Sequence, residues 1–145
     1  MTRIDFYRYA DDKLRFACRL AAKAFDSASR VVVFSPDAKV LGDFDRLLWS
    51  FQATRFVPHC FADAAVAPET PVILAASGDA LPHHEVLLNL APEWPPFFAS
   101  FARLLEIVGV DEEDKVRARG RYAFYQTRGY DIHVNAIDAR EKPVG

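Results

Sequence analysis

Apolar and polar residues follow two periods along this chain, and each period predicts one type of element. Residues 3–9 alternate with a period of two, which predicts a short strand. Continuous apolar runs of a few residues are typical of strands buried on both faces of a parallel sheet. Such runs, or shorter extended pieces, occur at residues 30–35, 55–60, 70–77, 85–90 and 130–137. The last of them is expected at an edge of the sheet.

Four other segments repeat apolar residues every three or four positions, as one face of a helix does. These helices are predicted from Asp11 and Asp12 to about residue 28, from 35–37 to near Ala53, from Pro95 to Gly109, and from Asp111 to Gly129. The third stripe is strong and consists of Phe97, Phe98, Phe101, Leu104, Leu105 and Val108. Because strands alternate with helices, the order of elements predicts an α/β fold with a mostly parallel sheet.

The composition is that of a globular domain. The 145 residues are 51% hydrophobic and 26% charged, which suffices for a core and a charged surface. We expect residues 1–137 to form one domain and residues 138–145 to form a flexible C-terminal tail. A net charge of −2 argues against a general nucleic-acid binder, which would be basic. The charged N-terminus is unlike a signal peptide, and no apolar stretch approaches about 20 residues, so we expect a cytoplasmic protein without membrane contact.

No motif predicts catalysis, a cofactor or a metal site. The turn after the first strand reads RYADD, and Asp11 and Asp12 would repel a phosphate rather than bind it.

Cys18 and Cys60 form no C-x-x-C pair and look like small core residues. His59 and Cys60 are adjacent on an extended segment, so their side chains face opposite sides and cannot act as base and nucleophile. A small nucleotide-binding enzyme on a Rossmann-like sheet is the alternative from another functional class.

Large aromatic residues are predicted to face water at the end of the second helix. Trp49 points roughly 140° away from the centre of the apolar stripe of that helix. Phe56, Val57, Pro58 and His59 follow a few residues later. Exposed apolar groups of this kind usually mark a contact surface. We call these five residues the aromatic patch and predict that a partner protein binds there.

The last helix carries five cations after its acidic start, namely Lys115, Arg117, Arg119, Arg121 and Arg128. Lys115, Arg119 and Tyr122 are spaced i, i+4 and i+7, which places them on one helix face. Two cations beside an aromatic ring suit an anionic peptide with an aromatic end, since guanidinium binds carboxylate through paired hydrogen bonds. A solvated basic face is the simpler interpretation. Direct binding of single-stranded DNA is a third, with Tyr122 and Tyr125 as stacking platforms.

Five segments together resemble the chi subunit family of bacterial DNA polymerase III, the clamp-loader accessory proteins. They are FY at 6–7, LLWSF at 47–51, FVPH at 56–59, LLNL at 87–90 and ARGRYAFYQTRGY at 118–130. They occur in the family's order and span nearly the whole chain. The resemblance implies a three-layer, Rossmann-like fold, with helices flanking a mostly parallel sheet, and without a nucleotide-binding loop or catalysis.

The resemblance also implies two partners and an indirect link to DNA. The aromatic patch would bind the psi subunit of the clamp loader. Lys115, Arg119 and Tyr122 would bind the acidic C-terminal tail of single-stranded DNA-binding protein, which ends in Phe. On charge alone, Arg121 and Arg128 are expected to strengthen the positive field there. One departure is Ala123, where a basic residue would match the family, and it implies a weaker pocket unless Arg128 compensates.

Overall fold

A computed structural model describes residues 1–51 and 56–137, which contain a seven-stranded sheet. Every strand pairing in this part of the chain is parallel, and the order is β3-β4-β2-β5-β6-β1-β7. The strands are β1 (Arg3–Ala10), β2 (Val31–Phe34), β3 (His59–Phe61), β4 (Val72–Ala75), β5 (Val86–Asn89), β6 (Arg103–Gly109) and β7 (Ile132–Ala136). The predicted α/β fold is therefore confirmed, and so is the extended edge at residues 130–137.

Three α-helices lie within the described residues, and an aspartate caps the start of each. The helices are α1 (Lys13–Asp26), α2 (Ala38–Ser50) and α3 (Glu112–Thr127). The carboxylates of Asp12, Asp37 and Asp111 accept hydrogen bonds from backbone amides of the first turns. These starts agree with the sequence. The predicted end of the second helix at Ala53 and the start of the next extended piece at residue 55 lie outside the described residues.

The sheet separates two apolar layers. Helices α1 and α2 pack on one face, and α3 packs on the other. Successive residues of a strand point to opposite faces: in β6, Leu105 contacts the first layer, whereas Leu104 and Val108 contact the second. Cys18 is fully buried in the first layer, as expected for a small core residue, and Cys60 is half-buried.

The helix predicted from Pro95 to Gly109 is wrong. Only one 3-10 turn forms there, at Phe98–Ser100, and the second half of the segment, Arg103–Gly109, is β6. The sequence LLEIV can be buried on both sides as a strand, and β6 lies between β5 and β1 with backbone hydrogen bonds to both neighbours. Pairing on two edges satisfies the backbone groups of a strand that is buried on both faces, so the tertiary setting overrides the helical spacing.

The two edge strands are short. Strand β3 forms one edge, and β7 forms the other beside β1. Phe6 of β1 is level with Val134 of β7, and Arg8 is level with Val108 of β6.

No helix among the described residues is long and apolar enough to cross a membrane. The tail predicted at residues 138–145 also lies outside the described part.

Candidate protein-binding sites

A cavity of about 350 Å³ opens between α3 and the strands β1, β6 and β7. We call it the cationic pocket. Its lining consists of Phe6, Arg8, Tyr9, Val108, Lys115, Ala118, Arg119, Tyr122 and Val134. The three residues that the helical spacing placed on one face, Lys115, Arg119 and Tyr122, are thus brought together in one concave site.

The floor of the cationic pocket is apolar. Phe6, Val108 and Ala118 are buried, and the ring of Tyr122 lies 5.5 Å from that of Phe6 at an interplanar angle of 60°. Val134 extends the apolar surface towards the sheet edge and is itself exposed. A floor of this kind accepts an apolar side chain and releases the water that covered both surfaces.

The rim of the cationic pocket is positively charged. Within residues 1–51 and 56–137, Arg119 is exposed and engages in no hydrogen bond or ion pair. Lys115 Nζ lies 4.7 Å from the centroid of the Tyr9 ring and 3.7 Å from Glu112 Oε1. The guanidinium of Arg8 lies 5.7 Å from the Tyr9 centroid. The rim therefore has guanidinium groups available for an anionic ligand.

Arg8 and Tyr9 were not among the residues predicted for this site. They lie more than a hundred positions before α3, so no local spacing links them to Lys115 or Arg119. The alternation of β1 does place Arg8 on the same strand face as Phe6. The alternation alone does not predict that Arg8 lies in the pocket. The strand order is also needed, because it places β1 beside β7 and under α3.

Arg121 is not a pocket residue, contrary to the expectation based on charge. Its side chain is 1% exposed, and its Nε donates to Glu106 Oε1 over 3.0 Å. Its Nη1 also donates to the carbonyl oxygen of Pro92 over 2.8 Å. A buried carboxylate on the facing strand thus holds this cation in the core. The sequence did not predict Glu106 as the partner of Arg121, because the segment of Glu106 was assigned to a helix.

The buried pair belongs to a larger polar cluster, in which Tyr125 and Asn89 also contact Glu106. Tyr125 Oη donates to Glu106 Oε2 over 2.6 Å, and Asn89 Nδ2 lies 3.0 Å from the same oxygen. Burial raises the pKa of Glu106, whereas Arg121, Tyr125 and Asn89 counteract this rise by stabilising the carboxylate. Burial also raises the pKa of Tyr125, so its hydroxyl remains a donor. Because Tyr125 is fully buried, one of the two tyrosine rings predicted to stack on DNA bases is not at the surface.

Arg128 lies outside the lining of the cationic pocket. Its guanidinium carbon is 4.1 Å from the centroid of the Phe124 ring, and Trp94 stacks on Phe124 with centroids 3.7 Å apart. Such a cation–π contact keeps the positive charge on the surface beside α3. Arg128 therefore adds at most to the positive electrostatic potential around the pocket. It does not line the pocket in compensation for the missing cation at position 123.

The second site is at the opposite edge of the sheet, where α2 ends beside β3. Trp49 and Phe56 are each 56% exposed, and their ring centroids are 5.2 Å apart. The prediction that Trp49 faces away from the core is confirmed. Pro58 is half-buried next to them. Together these three residues form the exposed part of the aromatic patch.

Val57 and His59, which the sequence grouped with the patch, point inward. Val57 belongs to the core beneath α1 and α2. His59 Nδ1 lies 2.7 Å from the carbonyl oxygen of Val57, and its ring centroid is 4.7 Å from that of Trp49. His59 Nε2 is 3.1 Å from Asp45 Oδ1, but at an angle outside hydrogen-bond geometry. His59 thus packs against the ring of Trp49, whereas Val57 is part of the core.

Sequence comparisons with known proteins point to one family. The family model described as "DNA polymerase III chi subunit, HolC" matches residues 1–133. The chain is 35% identical over 136 residues to DNA polymerase III subunit chi of Pseudomonas aeruginosa, an alignment that covers 91% of this chain and 94% of that protein. The protein of the same name from Haemophilus influenzae is 30% identical over 122 residues, covering 83% and 85%. That of Escherichia coli is 27% identical over 120 residues, covering 82% of each chain.

These matches extend over most of each protein, including the segments that suggested the resemblance. They make the protein an accessory subunit of DNA replication. The chain belongs to the DNA polymerase III chi subunit family.

Proposed function

We propose that this protein is a non-catalytic adaptor with two binding sites. The cationic pocket would bind the acidic C-terminal tail of single-stranded DNA-binding protein. The aromatic patch would bind the psi subunit and so connect the protein to the clamp loader. The observation that carries the proposal is the apolar floor of the pocket surrounded by Arg119, Lys115 and Arg8.

The pocket suits an acidic peptide that ends in an aromatic residue. An aromatic side chain on the floor of Phe6, Val108 and Tyr122 would bury apolar surface and gain ring-to-ring contacts. Carboxylates near the chain end would then lie level with the rim cations. Each charge-assisted hydrogen bond formed there contributes about 1.5–3 kcal/mol. Because the rim is open to solvent, screening reduces that contribution at high salt.

The aromatic patch suits a partner with an apolar surface. Trp49 and Phe56 present neighbouring rings at one edge of the molecule, and the buried ring of His59 packs against Trp49. Tryptophan is enriched among the few hot-spot residues that contribute most of the binding free energy at protein interfaces. Psi is the partner that the family resemblance favours for this patch.

The direct test is peptide binding by fluorescence anisotropy. The probe is a labelled peptide with the C-terminal tail sequence of the organism's own single-stranded DNA-binding protein. Arg119→Ala is expected to weaken binding about tenfold or more, because it removes an unpaired guanidinium from the pocket rim. Arg117→Ala is the matched control, since Arg117 is an exposed cation on the same helix outside the lining. Equal affinities for wild type and Arg119→Ala would refute the assignment of the tail to this pocket.

A further inference from the structure

The cationic pocket has a strand wall as well as a helix wall, and the strand wall carries its own cation. Arg8 follows Phe6 on the same face of β1, and two residues along a strand span about 6.6 Å. Phe6 forms part of the floor, so the Arg8 side chain begins directly beside it. Val108, another floor residue, is level with Arg8 on the neighbouring strand β6. Arg8 thus stands at the edge of the apolar floor.

The three rim cations differ in how far each is already engaged. Lys115 lies over the Tyr9 ring and near Glu112, so part of its charge is compensated. Arg8 has a contact with the ring of Tyr9, but no ion pair within residues 1–51 and 56–137. Arg119 has no ion pair there either. The two guanidinium groups, one from the strand wall and one from the helix wall, are therefore the free anion-binding groups of the rim.

The geometry of a peptide terminus indicates which anion they bind. In a C-terminal residue, the side chain and the carboxylate are attached to the same Cα atom. When the side chain occupies the apolar floor, the carboxylate must lie at the edge of that floor. Arginine is suited to this group, because its planar fork matches the two oxygens of a carboxylate, whereas lysine offers a single point charge.

We infer that Arg8 is a third binding residue of the pocket and holds the terminal carboxylate of the bound peptide together with Arg119. This inference rests on the proposed function of the cationic pocket and adds the role of one residue. It also accounts for the alanine at position 123, since the strand wall supplies a cation that the helix wall lacks. Arg8 then selects for a free chain end over an acidic segment inside a chain.

The experiment compares two forms of one labelled tail peptide, with a free or an amidated C-terminus. Arg8→Gln is expected to weaken binding of the free-acid peptide about tenfold and to change binding of the amide less than twofold. Arg8→Lys keeps the charge and is expected to fall between wild type and Arg8→Gln on the free acid. Arg117→Gln removes the same charge outside the pocket lining and serves as the control.

Unchanged affinity of Arg8→Gln for the free-acid peptide would overturn the inference. An equal loss for both peptides would also overturn it, because Arg8 would then act on other groups of the ligand. Circular dichroism of each variant shows whether the fold is retained, and Arg8→Lys provides the same comparison if Arg8→Gln does not fold. Failure of the wild-type protein to bind the free-acid peptide would instead refute the proposed function itself.

Discussion

Arg121 donates a hydrogen bond to Glu106 over 3.0 Å in the interior, where their side chains are 1% and 0% exposed. The pair joins α3 to β6, the same two elements that form part of the cationic pocket. One side of α3 lines the cationic pocket, and its inward face is held by polar contacts. The buried pair thus sets the position of Arg119 and Tyr122 relative to the sheet.

Arg121→Met should destabilise the protein by about 3–5 kcal/mol, because Glu106 would remain buried without its cation. The free energy of unfolding is measured by urea denaturation. The control Arg117→Met removes an exposed cation from the same helix and is expected to change stability by about 0.5 kcal/mol or less. The double variant Arg121→Met/Glu106→Leu should recover much of the loss, because no unpaired charge is left in the core. A single variant as stable as wild type would contradict this role for the pair.

Trp49→Ala is expected to abolish co-purification with the psi subunit while leaving the affinity for the tail peptide within about twofold of wild type. The reason is that Trp49 lies beside β3, at the edge of the sheet opposite the cationic pocket. Trp94→Ala is a matched control, since Trp94 is also exposed but stacks on Phe124 instead. Retained co-purification of Trp49→Ala would show that the patch does not bind psi.

Peptide binding to the cationic pocket should weaken as salt is added. Raising sodium chloride from about 50 to 500 mM shortens the screening length from roughly 14 to 4 Å, which reduces the attraction between exposed charges. Arg119→Ala should show a smaller dependence on salt than wild type, because one attractive charge is gone. Anisotropy titrations at four salt concentrations give both slopes. Parallel slopes for the two proteins would argue against an ionic role for Arg119.

Asp114 should make a pH-dependent contribution to stability. Burial alone would raise its pKa, but the Gly109 amide and the ammonium group of Lys13, 3.0 Å away, outweigh burial and lower the pKa below the ordinary 3.8. A lowered pKa in the folded state means that the contribution is present above about pH 4 and is lost as the pH falls through the folded value.

Asp114→Asn is therefore expected to be less stable than wild type by about 1–2 kcal/mol between pH 5 and 7. This difference should shrink below pH 4, where the wild-type carboxylate also becomes protonated. Urea denaturation at several pH values measures it. Asp5 also has a lowered pKa, and it is present in both proteins, so its effect cancels in the comparison. A difference that stays constant down to pH 3 would exclude an ionic origin.

The sequence predicted most of the sheet because its strands are short, continuous apolar runs. Residues 97–109 were misassigned because six apolar residues there satisfy helical spacing. The pairings that make β6 a strand, such as Leu104 with Ile4 and with Leu87, join residues that are distant in sequence. That error also concealed Glu106 as the partner of Arg121. Within one helix, the spacing of Lys115, Arg119 and Tyr122 was sufficient to group them. Arg8 joins them only through strand order, which no local pattern specifies.

The strand order has a further consequence for any two ligands held at the proposed sites. Strand β3, next to the aromatic patch, and β1, in the cationic pocket, are five strand spacings apart, or about 24 Å. A hydrogen-bonded sheet keeps that separation nearly constant, so two ligands bound at the proposed sites would stay at a fixed distance from each other. Any gain in the strength of binding two linked ligands would then come from their raised effective concentration. Once one ligand is bound, the other is held within a fixed radius, and no change in the shape of the protein is required.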